Sequence, residues 1–276
     1  SNILIETAVE FTSATTIRTR KMKKLLTLAV FFSAFASAAF AQVEFEQIKS
    51  RTQEKLHVTG FFDYYPFGQY ENNVYSGVFK PFIEYFSDYG QYVLDYLPVS
   101  MSYEDTIREA GKGEADVVLG MYAETSLYAD LKFIYPAAID NPIHLAMLPS
   151  KMGAVRSVQD LKPLKGAIHS KERFSDYIND KLKDFQIEYV DTSYELYGKL
   201  IRGEIDYVLT SIYFGTIETA KLGLRHQVAF SRQSLWTMPV FIGISKASVH
   251  REYLSHTLSK MLEKPEIKEK IKKDME

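Results

Sequence analysis

Cysteine is absent from all 276 residues, so no disulfide stabilises this chain and no lipid-modified cysteine tethers it. A basic surplus is missing too. The 33 Lys and Arg are outnumbered by 35 Asp and Glu, and a net charge of −2 leaves no electrostatic footprint for nucleic acid. The apolar run at 25–35 is too short for a membrane span, and no other stretch is longer. Catalytic signatures are also lacking. None of the six His forms a His-Glu-x-x-His pair, no Gly-x-Ser-x-Gly elbow or phosphate-binding glycine loop occurs, and no cluster has metal-ligand spacing. No cofactor, metal or catalytic residue is expected.

The first 41 residues read as a leader. Lys21-Met22-Lys23-Lys24 supplies a basic start, 25–35 an apolar core and Ala39-Phe40-Ala41 a cleavage site before Gln42. These predict a signal peptide beginning at Met22, with 1–20 as upstream sequence, and hence a freely soluble periplasmic protein that is not a lipoprotein. The leader holds five of the basic residues and two of the acidic ones, so the mature chain is more acidic than the whole. Residues 42–276 suffice for one large domain or two lobes of about 100 residues each.

What the chain does contain is a repeat. Ser102-Tyr103-Glu104 leads into Lys112-Gly113-Glu114-Ala115-Asp116-Val117-Val118-Leu119, and Ser193-Tyr194-Glu195 leads into Arg202-Gly203-Glu204-Ile205-Asp206-Tyr207-Val208-Leu209. Each copy predicts a helix opened by a capping Ser, closed by a basic residue and a left-handed Gly, then a buried strand. A helix feeding an apolar strand is half of a βαβ unit. One copy in each half of the chain therefore predicts two similar α/β lobes with a cleft between them.

Around the copies, strands are expected at 57–62, 92–97, 133–136 and 143–148, and a helix at 76–89 with Pro81 near its first turn. A loop-rich stretch at 149–165 is the expected first crossing between lobes. Beyond it come a strand at 166–168, a helix at 173–182, a strand at 186–190 and a helix at 214–222. The second crossing is expected near 228–239, followed by a strand at 240–244 and an amphipathic helix at 249–262. Lobe 1 is thus 42–148 and 233–276, lobe 2 is 149–232, and 1–41 lies outside both. A pair of crossings forms a hinge that can shut on a ligand.

This order of parts resembles the periplasmic solute-binding proteins of the amino-acid type, bacterial extracellular solute-binding family 3. Tyr64-Tyr65-Pro66-Phe67 is similar to the family's Tyr-Pro-Pro-Phe segment, and Phe133-Ile134-Tyr135-Pro136 to its Phe-Ser-x-Pro segment. Val99-Ser100-Met101-Ser102-Tyr103 with Gly113-Glu114-Ala115-Asp116-Val117-Val118-Leu119-Gly120-Met121 resembles its most recognisable stretch. The resemblance implies an α/β, two-lobed periplasmic binding protein type II fold whose hinge is two crossover segments. It also implies a small-molecule ligand, a monomer, and the membrane permease of an ABC importer as partner. The ligand anchors differ. Leu127 stands where the family has a carboxylate-clamping Arg, Ser211 where it has an Asp for the amino group, Phe61 where it has an acid, and Gly77-Val78-Phe79 where it has Gly-Phe-Asp. Loss of both ends of the clamp argues against an ordinary α-amino acid, because a zwitterion in a closed cleft needs each charge paired.

Tyr64 and Tyr103 match the two aromatic positions that sandwich the family's ligand; with 18 Phe and 19 Tyr in the chain, the alternative is simple core. Gly120 and Tyr122 fall where a strand meets a loop, the usual ligand side of an open α/β sheet. Glu124, with Ser126 in the same loop, pairs with a ligand cation or is a solvated carboxylate. His169-Ser170-Lys171-Glu172-Arg173 sits at a strand end opening a helix, where free N–H groups favour anions, and Lys171 or Arg173 would replace the charge missing at Leu127, or else be plain surface. Ser211 closes the set, and Trp236, the only tryptophan, either reports on closure or packs the hinge. The expected function is ligand binding for import. The alternatives are a dehydratase on the same scaffold, with Glu124 and His169 as acid and base, and a sensor that hands its liganded form to a membrane receptor.

Overall fold

Val117–Tyr122 (β6) is buried along its whole length, the pattern of a strand covered on both faces. The structure, a computed structural model, describes residues 54–90, 92–97 and 103–275. The leader at 1–41, the expected cap Ser102 and the segment 99–101 lie outside the described residues. Glu54–Gly60 (β1) runs parallel to β6 with Val58 opposite Val117, and Tyr92–Tyr96 (β5) lies beyond β1. In the second half Lys165–His169 (β8) is parallel to both Gln186–Val190 (β9) and Tyr207–Ser211 (β10).

Two long strands join the halves. Leu131–Met147 (β7) pairs antiparallel with Trp236–Ser245 (β12), and its last residues pair with β10, Leu145 opposite Leu209. Among the described residues the result is one nine-stranded sheet in the order β5-β1-β6-β12-β7-β10-β8-β9, with Ala229–Phe230 (β11) added to β7. The sequence predicted two short strands at 133–136 and 143–148 with a loop crossing after them; the chain instead changes partners inside β7. Pro136 reads as a breaker, yet it falls at 135–138, the stretch opposite Phe241 where the register with β12 shifts, so it withdraws no ladder hydrogen bond. Similarly, β12 begins at Trp236, within the stretch expected to be the second crossing.

Asp63–Tyr64 (β2), Gly68–Glu71 (β3) and Val74–Ser76 (β4) form a separate small sheet that the sequence did not disclose. Its tight turn uses Asn72 and Asn73 at φ +51° and +63°, a conformation Asn tolerates. Among the described residues the α-helices are Lys80–Asp88 (α1), Tyr103–Lys112 (α2), Asp176–Leu182 (α3), Ser193–Arg202 (α4), Ile212–Lys221 (α5), Arg251–Glu263 (α6) and Pro265–Met275 (α7). α2 and α6 pack on β12, and α4 and α5 on β10, so each half has its own helices. On α1 the residues Phe82, Ile83 and Phe86 are fully buried, each contributing about 1.5–3 kcal/mol of transfer free energy.

Both repeat copies fold as helix, left-handed glycine and strand. Gly113 has φ +94° and Gly203 φ +74°, leading into β6 and β10. The cap of α4 is Thr192, however, and not Ser193. Thr192 is extended and its hydroxyl accepts the Glu195 N–H at 3.2 Å, which leaves Ser193 as the first helical residue. α3 begins at Asp176 and not at 173, because Ser175 is the extended residue at its N-terminus.

Candidate functional site

Phe61 follows β1 and turns its ring into the middle of the first half, where it is 1% exposed. Its centroid lies 5.4 Å from Tyr64, 5.3 Å from Tyr103, 6.0 Å from Phe67 and 6.1 Å from Tyr122. Gly120 makes this possible. It adopts φ +88°, and a Cβ there would stand 2.3 Å from the Phe61 ring. Tyr64 and Tyr103, expected to hold a ligand between them, are therefore both packed on a residue of the chain itself.

A polar cluster adjoins these rings. Glu172, in the loop between β8 and α3, is 6% exposed, and its carboxylate accepts hydrogen bonds from the Thr210 hydroxyl, the Ser211 N–H at 2.9 Å and the Tyr64 hydroxyl. Asn141 of β7 donates to the Tyr122 hydroxyl at 3.1 Å and, at 3.5 Å, to that of Tyr64. The cluster thus draws on both halves and on a joining strand. Burial pushes the Glu172 carboxyl up to about 7, against the opposing pull of its three donors and of Arg173. Burial and the adjoining Glu172 raise the Tyr64 phenol well above its usual value, so it stays a donor. The Ser211 hydroxyl and Asn141 Oδ1, both buried, have no hydrogen-bond partner.

Beside this cluster opens a cavity of about 860 Å³. Tyr103, Ile107, Glu124 and Leu127 line it from the first half, and Ser170, Glu172, Arg173 and Phe174 from the second. Arg173 donates to the Ser170 carbonyl at 3.0 Å, lies 3.8 Å from the Asp63 carboxylate and places its guanidinium 6.0 Å from the centre of the Tyr103 ring. Glu124 accepts the Asp176 N–H at 3.3 Å, a contact that also spans the two halves.

Of the residues singled out from the sequence, Tyr103, Glu124, Ser170 and Arg173 line the cavity. Tyr64 and Ser211 belong to the polar cluster around Glu172, and Tyr122 joins it through Asn141. Gly120 serves Phe61. Lys171 is exposed and is not among the residues lining the cavity. His169 and Glu124 have separate surroundings: His169 packs on Phe214 and its Nδ1 accepts the Lys171 N–H at 3.0 Å, while Glu124 faces α3. Burial lowers the His169 pKa, partly offset by Glu218. Trp236 lines a second, smaller cavity of about 300 Å³ with Tyr122 and Met238. Sequence reasoning missed Asn141, Thr210 and the central place of Glu172. Glu172 stands between Lys171 and Arg173 in a charged string that reads as surface, and only the fold reveals the donors that converge on it.

No family model and no curated protein matches the chain. Solved structures do. A putative binding component of an ABC transporter from Wolinella succinogenes, complexed with lysine, matches at TM-score 0.65 and 18% identity over 79% of this chain and 94% of its own. A histidine kinase sensor domain with similarity to periplasmic binding proteins matches at TM-score 0.64 and 13% identity, covering 80% of this chain and 96% of that one. An ancestral amino-acid-binding protein, a precursor of cyclohexadienyl dehydratase, matches at TM-score 0.63 and 16% identity over 84% and 98%. The fold is that of the two-lobed periplasmic binding proteins, mixed α/β. Amino-acid-binding proteins of this fold are among the structures it resembles.

Proposed function

We propose that the protein is a periplasmic solute-binding protein that closes on a small polar, amino-acid-like solute and delivers it to the permease of an ABC importer. The observation that carries this reading is the cavity walled by both halves, with Arg173 and Glu124 at its surface. Arg173 offers a planar fork of donors to an anionic group, the role left open by Leu127, and Tyr103 offers a ring on which the solute can rest. A solute touching both halves favours the closed form only through its greater affinity for that form, and this difference is the signal a permease reads. Native mass spectrometry of gently purified protein should find a co-purified polar solute. Arg173→Met should then weaken its binding at least tenfold in calorimetry, and an unchanged affinity would remove Arg173 from the site. A standard α-amino acid in the cavity would overturn the argument from Leu127 and Ser211.

A second reading rests on Glu172. A buried carboxyl titrating near 7 can give and take a proton, as an acid or base for elimination from a small acid must. On this reading Glu172, and not the pair of Glu124 and His169, does the chemistry. Turnover of prephenate-like or arogenate-like acids by the purified protein, lost in Glu172→Gln, would establish it; inert protein across those acids removes it.

A further inference from the structure

Tyr103 is shared between two environments. It lines the cavity, and it also packs on Phe61 at 5.3 Å, inside a cluster completed by Tyr64, Phe67 and Tyr122. The Phe61 ring touches all four of these side chains, and the glycine at 120 leaves room for it where a Cβ would overlap it. No polar contact holds the ring; what fixes it is the shape of the space. Removing it would leave a pocket walled by aromatic rings, next to the wall of the solute cavity and close to the buried polar groups of Tyr64 and Asn141.

We propose that Phe61 is a built-in plug: it occupies an inner aromatic subsite contiguous with the solute cavity and thereby sets how deep a solute can reach. The native solute is held in the outer cavity, against Tyr103 and Arg173. A solute carrying a planar ring on a short stem is denied the inner subsite, and Phe61 is the residue that denies it. This extends the solute-binding reading and rests on it only for the position of the anionic group.

The test uses the full chain with Phe61→Ala and with Phe61→Leu, the second a milder change for the case that the first does not fold. The probes are benzene, which needs only the vacated subsite, and phenylacetate, which adds a carboxylate for Arg173. An apolar cavity left by truncating a buried side chain can bind benzene. Benzene is expected to raise the melting temperature of Phe61→Ala by several degrees and to leave the natural chain unmoved, with Phe61→Leu in between. Phenylacetate should bind Phe61→Ala at least tenfold more tightly than the natural chain. If Arg173→Met in that background removes the advantage of phenylacetate over benzene, the plug and the outer anion site both stand. If benzene binds the variant while Arg173→Met changes nothing, the plug stands and the outer site fails. Benzene and phenylacetate acting alike on the natural chain and on both variants overturns the plug.

Discussion

The carboxyl of Glu172 has the most consequential environment of any single residue. Its ordinary value is 4.5 and burial lifts it to about 7, so the folded chain holds this proton more tightly than the unfolded chain. The associated stability is fully present below pH 4.5 and is lost as pH rises through 7, a swing of about 3 kcal/mol. His169 works in the opposite sense, since its depressed pKa favours folding above 6.5 and that contribution falls away on acidification. Glu172→Gln separates the two. Its carbonyl can still accept from Thr210 and Ser211, and its amide can donate to the Tyr64 oxygen, so the cluster is kept without the titration. Urea denaturation at pH 5 and pH 8 should show the natural chain losing stability relative to the variant as pH rises. Parallel curves for the two proteins would place the Glu172 carboxyl at an ordinary pKa.

At the level of elements, the repeated helix and strand were legible because each carries its own punctuation. Gly113 and Gly203 take the left-handed conformation where a basic residue and a glycine close the helix, and β6 and β10 follow as apolar runs. The join inside β7 was not legible, since the strands predicted at 133–136 and 143–148 leave a gap that pairing with the distant β12 largely closes. The centre of the polar cluster was hidden for the same reason. Tyr103 and Arg173 could be picked by type and position, but Glu172 acquires its partners only when β10 is laid beside β8. The cap of α4 was displaced by one residue, and this is directly testable. Thr192→Ala should cost about 1 kcal/mol in urea denaturation and Thr192→Ser close to nothing. A Ser193→Ala variant that loses stability while Thr192→Ala does not would return the cap to Ser193.

For the whole molecule the question is what holds the halves together. β7 and β12 join them covalently and pair with each other as a two-stranded ribbon. Polar ties across the cleft include the Tyr64 hydroxyl on Glu172, Arg173 near Asp63, and Glu124 on the N–H of Asp176, beside ring contacts of Tyr64 with Phe214 and of Phe67 with Tyr213. The first is the most buried and so the most costly to lose. Tyr64→Phe keeps the ring against Phe61 and Phe67 but removes one donor from a buried carboxylate, a loss of about 1–3 kcal/mol. If closure buries the solute, its apparent affinity must drop by the same energy, a factor of about 5 to 150, while the chemistry lining the cavity is unchanged. Small-angle scattering of solute-free Tyr64→Phe should then give a larger radius than the natural chain, and excess solute should bring the two together. Equal radii and equal affinities would mean that the Tyr64 bond is not a tie between halves that move.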